Sequence, residues 1–199
     1  MAWSSTLKIV LIAVAAGTLG VLAGQLVGGG GWLMRTELGQ RVLQDQMARE
    51  APKPPADLAV ASRGAAMPPL QLPGLDGKPM QLPQAFAGRP ILINLWASWC
   101  GPCIKEMPEL NRYAQSQGAT GTQVVGIALD NAEDVAAFLQ RVPVGYPILL
   151  DQPGPRDAGI QLGNPKGVLP YTVLIGADGK LLKQRIGPFE AGELDGWVD

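Results

Sequence analysis

Both cysteines of the chain lie in the run Trp96-Ala97-Ser98-Trp99-Cys100-Gly101-Pro102-Cys103. Two thiols separated by two residues can open and close a small disulfide, and the attacking species in such exchange is the thiolate. The flanking residues look suited to aim and activate them. Upstream, residues 90–96 are a short apolar, β-branched run of the length expected for a buried central strand. Downstream, residues 104–117 carry Met107, Leu110 and Tyr113 or Ala114 at helix-like spacing, so the cysteines sit where a strand hands over to a helix. Unpaired N–H groups at a helix N-terminus carry roughly +0.5 charge, which can lower a cysteine pKa from ~8.5 into the range ~3.5–7.5. Cys100, at the outer end, is the expected nucleophile, and Cys103, one turn inside, the resolving thiol.

A structural disulfide and a half zinc site are the two plainer alternatives. A purely structural disulfide across so few residues would contribute ~2 kcal/mol at most by loop closure, against ~4.7 for a loop of about a hundred residues. Half of a zinc site would need further ligands, and the chain has no histidine and no third cysteine to complete a four-ligand N/S set. Redox chemistry is the reading with a mechanism.

Glu106 lies three residues after Cys103, so the two side chains share a helix face. A carboxylate there can take the resolving thiol's proton if partial burial raises its own pKa toward neutrality; otherwise it is a solvated helix glutamate. Pro108 falls inside the helical pattern, removes the bond to the Ile104 carbonyl and costs ~3 kcal/mol in an undistorted helix, so a kink is expected.

The segment Trp99-Cys100-Gly101-Pro102-Cys103 resembles the thioredoxin signature. The longer run from Asn94 to Leu110, Asn-Leu-Trp-Ala-Ser-Trp-Cys-Gly-Pro-Cys-Ile-Lys-Glu-Met-Pro-Glu-Leu, is similar to the TlpA/ResA branch of membrane-anchored thioredoxin-like proteins, of the AhpC/TSA–Redoxin-like fold. The resemblance covers roughly residues 66–199 and is specific for fold and chemistry, not for substrate. It implies a thiol:disulfide oxidoreductase that uses no cofactor beyond its own dithiol. Thioredoxin-like active-site helices carry a proline where Pro108 stands, and ResA-like proteins an active-site glutamate where Glu106 stands. Asn94 replaces the buried aspartate of ordinary thioredoxins; an amide cannot titrate, which raises the weight on Glu106. Leu169-Pro170 matches the cis-proline loop facing the disulfide, where the Leu169 backbone could pair with an extended substrate segment; the alternative is an ordinary proline at a strand start. Trp99, Gly101 and Pro102 would complete the docking surface, while Trp96 is expected in the core. Gly-Pro between the cysteines resembles reducing thioredoxins, near −270 mV, rather than oxidants near −120 mV. By resemblance, a DsbD- or CcdA-type membrane carrier would re-reduce the domain, and apocytochrome c or a copper-site assembly protein would be a family-typical substrate. Two rivals remain: a Sco-type copper module, disfavoured by the missing histidine although Met67, Met80 and Met107 are soft donors, and a thiol peroxidase, for which a C-x-x-C is the wrong setting.

The chain of 199 residues, 47% hydrophobic with net charge −1, suits one globular domain plus an attachment segment. It lacks the basic cluster that nucleic acid would require. Residues 9–27 form an apolar run of about 19 residues, ~29 Å as a helix and close to the ~30 Å of a bilayer core. An uncleaved signal-anchor is favoured over a cleaved signal peptide, because no clear A-x-A site closes the run. Lys8 on one side and Arg35 and Arg41 on the other leave the orientation undecided by charge. The resemblance places the domain outside, facing the periplasm, on a single-pass inner-membrane anchor. The organisation expected is a tail and anchor over residues 1–31, a juxtamembrane segment and Pro/Ala linker over 32–65, and a thioredoxin-like domain over 66–199. A short helix within 34–49 competes with a solvated spacer.

Within the domain the pattern predicts a β-hairpin over 69–82 turning at Asp76-Gly77, strands over 90–96, 123–129 and 147–150, and a helix over 132–140. A loop-rich stretch with one helical turn follows over 151–166, then a hairpin of strands 171–175 and 180–186, and a short terminal helix over 190–199 weakened by Gly192 and Gly196. This is an α/β thioredoxin-like fold: a central mixed sheet flanked by helices, with an N-terminal β-hairpin extension and one transmembrane helix ahead of it.

Overall fold

A computed structural model describes residue 14 and residues 36–198. These fall in two units, one ending at Gln46 and one beginning at Met47. The first described helix, α1 (Glu37–Glu50), carries an i,i+4 ion pair from Arg41 to Glu37 at 3.2 Å. Among the described residues no helix is long and apolar enough to cross a membrane. The anchor expected over 9–27 lies outside the described residues, except for Val14.

From residue 47 onward the elements are β1 (Leu70–Pro73), β2 (Pro79–Leu82), a 3-10 turn (Gln84–Phe86), β3 (Ile91–Trp96), α2 (Gly101–Ser116), β4 (Gln123–Leu129), α3 (Ala132–Arg141), β5 (Ile148–Asp151), α4 (Ala158–Gln161), β6 (Tyr171–Ile175), β7 (Leu181–Ile186) and α5 (Glu193–Val198). The main sheet has the order β5-β4-β3-β6-β7, with β3, β4 and β5 parallel and β6 antiparallel to both β3 and β7.

β3 is central, and all six of its residues are buried. Its side chains alternate between two cores: Ile91, Ile93 and Leu95 enter one, Leu92 and Trp96 the other. A strand covered on both faces must read as a continuous apolar run, which is why ILINLW does, with the single exception of Asn94. On the second face α2 presents Cys103, Met107, Leu110 and Tyr113 at helical spacing. α2 runs through Pro108 without a break.

Each sheet edge is met at one point by a neighbouring segment. The β1–β2 hairpin reaches β5 through a bridge between Gly74 and Leu149. On the other edge Gly64 donates to the Leu181 carbonyl at 2.8 Å, Leu181 to Ala65 at 2.9 Å, and Ala66 bridges to Lys180. Residues 61–65, expected in the linker, are therefore bonded into the domain, and Ala61 is buried with its N–H on the Gln161 carbonyl at 2.7 Å. Two X-Pro bonds are cis, Leu169-Pro170 and Leu82-Pro83, the second without any sequence signal recognised above.

Candidate active site

The site begins at the C-terminal end of β3. The backbone leaves the sheet at Trp96, turns through Ala97-Ser98-Trp99 and enters α2 at Cys100, which occupies the N-cap position with extended φ/ψ of −85° and 96°. The N-cap is where a side chain can reach a free N–H of the first turn, and here the Cys100 Sγ accepts from the Cys103 N–H at 3.3 Å. Pro102, in the first turn, gives up an N–H that would have no helical partner. The two cysteines are joined as a disulfide, Cys103 fully buried and Cys100 nearly so.

The turn before Cys100 is pinned by Asp130, just beyond the end of β4. One carboxylate oxygen accepts from both the Ser98 N–H (2.9 Å) and the Ser98 hydroxyl (2.7 Å), and the other from the Asn131 N–H at 2.8 Å. Burial pushes the Asp130 carboxyl up, but these bonds to Ser98 and Asn131 outweigh it and hold the group below the usual carboxylate range. Sequence reasoning missed Asp130; its place just after a strand, at the sheet end where α/β sites gather, was the available signal.

One turn past Cys103, Glu106 is completely buried. Its Oε1 accepts from the Asn94 amide at 2.8 Å, and its Oε2 from the Phe189 N–H at 2.9 Å. Asn94 also donates to the Thr172 hydroxyl at 3.0 Å across the β3–β6 ladder. Burial pushes the Glu106 carboxyl up to about 7; the Phe189 N–H, the Asn94 amide and the Arg185 charge pull the other way without overcoming it. The condition set by the sequence reading, a carboxyl brought near neutrality by burial, is thus present. The Asn94 Oδ1 has no partner among the described residues, nor have the Tyr146 hydroxyl and the Trp96 indole N–H.

Trp96 packs against Phe138 with ring centroids 5.3 Å apart, the core position expected of it. Its indole crosses Gly126, where any Cβ would come within 3.2 Å of the Trp96 ring nitrogen. Trp99 is 70% exposed, and Gly101 and Pro102 are exposed beside it. Pro170 is buried and Leu169 half-buried, packed against both cores. The Pro170 carbonyl accepts from the Gly187 N–H at 2.9 Å. Gly187 has φ of +94°, a value that favours glycine, and it turns the chain from β7 toward Phe189. The loop after β7 therefore touches both Pro170 and Glu106, a connection no sequence spacing announces because its contacts are made by backbone groups.

The Redoxin family model matches residues 62–196. The thiol-disulfide oxidoreductase ResA of Bacillus cereus strain ZK / E33L is 28% identical over 144 residues, 72% of this chain and 80% of that protein. Among solved structures, a candidate DsbE thiol:disulfide interchange protein from Chlorobium tepidum is 30% identical with a TM-score of 0.60, covering 69% of this chain and 96% of that one. A thioredoxin-related protein from Neisseria meningitidis serogroup B is 35% identical with a TM-score of 0.57, over 64% of this chain and 95% of that one. With the cysteine pair at a strand-to-helix junction of a thioredoxin-like sheet, these similarities mean that the chain belongs to the Redoxin family and is a thiol-disulfide oxidoreductase.

Proposed function

We propose that the protein is a membrane-tethered disulfide reductase working on the periplasmic side of the cytoplasmic membrane, with Glu106 as the acid/base partner of Cys103. The observation that carries this reading is a fully buried carboxyl, near half-ionised at neutral pH, one helical turn behind the resolving cysteine. Support for the cellular setting comes from the similarity to ResA, and for the reducing direction from the Gly101-Pro102 pair. The apolar run over 9–27 supplies the tether.

In the reaction, the Cys100 thiolate, favoured by the helix N-terminus, attacks one sulfur of a partner's disulfide. The partner's other sulfur leaves as a thiolate and takes a proton from water. Glu106 then accepts the Cys103 proton, and the new thiolate attacks the Cys100 sulfur, expelling the partner's remaining thiolate. That thiolate is protonated in turn, so the partner has gained two electrons and two protons and the domain is left as the Cys100–Cys103 disulfide. A reduced dithiol carrier of DsbD or CcdA type would restore it. Trp99, Gly101, Pro102 and the Leu169 backbone form the docking surface around the nearly buried sulfurs, and protein disulfides of the cytochrome c or copper-site assembly kind are the substrates.

The test is trapping. Cys103→Ser is expected to accumulate mixed disulfides through Cys100 in intact cells, because attack proceeds and resolution does not. Equal trapping by Cys100→Ser overturns the roles. Labelling of the reduced cysteines by a membrane-impermeant thiol reagent in spheroplasts checks the side of the membrane; protection there overturns the periplasmic placement.

A further inference from the structure

Glu106 is tied to the C-terminal part of the chain through a loop held at three consecutive residues. Arg185, on β7 and 2% exposed, donates to the Pro188 carbonyl at 2.9 Å and lies 4.2 Å over the Phe189 ring. The same guanidinium makes a two-pronged pair with Glu193 of α5, at 3.0 and 2.9 Å. Glu193 in turn accepts the Glu190 N–H at 3.0 Å. Between the fixed Pro188 carbonyl and the fixed Glu190 N–H, the Phe189 N–H has one direction left, and it points at Glu106 Oε2.

We propose that Arg185 and Glu193 act as a charge clamp that positions the Phe189 N–H on Glu106 and sets how readily Glu106 takes up a proton, so that both are positioning residues of the disulfide-exchange site. The inference rests on Glu106 as the acid/base group. The Arg185 guanidinium is, among the described residues, the cation that acts on Glu106, and it favours the carboxylate. Glu193 neutralises part of that field. From the other elements packed on Glu106, β3 and β6 offer the neutral Asn94 and Thr172, and the segment before β5 offers Tyr146, whose hydroxyl burial and the Glu106 charge both keep protonated. On α2 itself the ionisable neighbour is Glu109, one turn on, held by Arg112 through two bonds of 2.8 Å, while Cys103, one turn back, is bound in the disulfide and carries no proton to lose.

The clamp predicts shifts of opposite sign from its two halves. Arg185→Gln removes the favouring cation and leaves the Glu193 charge, so the Glu106 midpoint rises. Glu193→Gln leaves the cation uncompensated, so the midpoint falls. Each shift is expected to be about half a pH unit or more, and the double variant is expected to return close to the parent. Simple loosening of the loop would move both single variants the same way.

The experiment is a carbon NMR titration of the glutamate side-chain carboxyls in the full-length oxidised protein in detergent, with the Glu106 signal assigned by its loss in Glu106→Gln. Opposite shifts that cancel in the double variant support the clamp. An unmoved midpoint, or two shifts of one sign, overturns it. Should Arg185→Gln fail to fold, Glu193→Gln alone decides, since it must lower the midpoint. The pH profile of mixed-disulfide resolution, run on the same variants, separates the two claims. Carboxyl shifts with an unmoved kinetic profile retain the clamp and remove Glu106 from the acid/base role.

Discussion

Tyr171 and Thr172 are neighbours on β6, and the alternation of the strand sends them to opposite faces of the sheet. On one face the buried Tyr171 hydroxyl donates to the Leu162 carbonyl at 3.0 Å and accepts from Gln184 at 2.7 Å, so its donor and acceptor capacity are both used. On the other face Thr172 meets Asn94, which holds Glu106 but keeps an unmatched Oδ1. Burial raises the affinity for protons on both sides, yet only the carboxyl is brought into the range where a proton comes and goes near neutral pH. A satisfied, neutral cluster holds structure. A buried carboxyl beside an amide can take part in chemistry, because an amide meets either protonation state by presenting its NH₂ to a carboxylate or its oxygen to a carboxylic acid.

The largest effect is expected from Glu106→Gln. The side chain keeps its shape, and Asn94 can turn over to meet the new NH₂, so the fold persists and Cys100 still forms mixed disulfides. Their resolution is expected to slow by ~10² to 10⁴, and its dependence on pH between about 5 and 8 to flatten. Stopped-flow reduction of a model disulfide across pH measures both, and a profile superimposable on the parent makes Glu106 a bystander.

Next in size is a stability effect with a definite sign. The folded carboxyl titrates near 7 and the unfolded one near 4.5, so between those values the folded state binds more protons and stability falls as pH rises. The share from Glu106 is about 3 kcal/mol, present below about pH 4.5 and lost by about pH 7. Denaturant midpoints of the oxidised protein at pH 5 and pH 8, with and without Glu106→Gln, isolate it; equal pH dependence in the two proteins removes the claim.

Smallest is the change that sharpens the contrast from the other face. Tyr171→Phe removes the hydroxyl's bonds to the Leu162 carbonyl and the Gln184 amide, leaves those two only their 3.4 Å contact with each other, and is expected to cost about 1 kcal/mol by denaturant unfolding. It should leave the pH profile of disulfide exchange where it was. A moved profile would mean that the two faces are not separate.

The inner sheet and its main helices were legible because β3, β4 and β6 are apolar runs of the right length and α2 and α3 carry apolar residues at helical spacing; the strand over 123–129 agrees residue for residue with β4. Cys100, Cys103 and Glu106 were legible because three-residue spacing on a helix is a geometric statement. Asn94 was noticed as an amide where a carboxylate is usual, but its hold on Glu106 required the register that sets β3 beside α2. Apart from the Asp130 carboxylate, what escaped was carried by main-chain groups: the Phe189 N–H, the Pro188 carbonyl, the Gly187 to Pro170 bond and the pairing of residues 64–66 with residues 180–181. Every residue type offers the same N–H and C=O, so such bonds leave little mark on composition or periodicity. Arg185 was hidden for a related reason, since an arginine on an edge strand ordinarily reads as solvated.

The Phe189 N–H that caps Glu106 lies 83 residues farther along the chain. A ribosome adding ~5 to 20 residues per second delivers it roughly 4 to 17 s after Glu106 itself. For that interval both thiols have been made while the carboxyl behind them is not yet enclosed and behaves as an ordinary surface acid. The cysteines are made early and the main-chain group that caps Glu106 follows 83 residues later, so a chain cut short before Phe189 would carry the cysteine pair with that carboxyl uncapped.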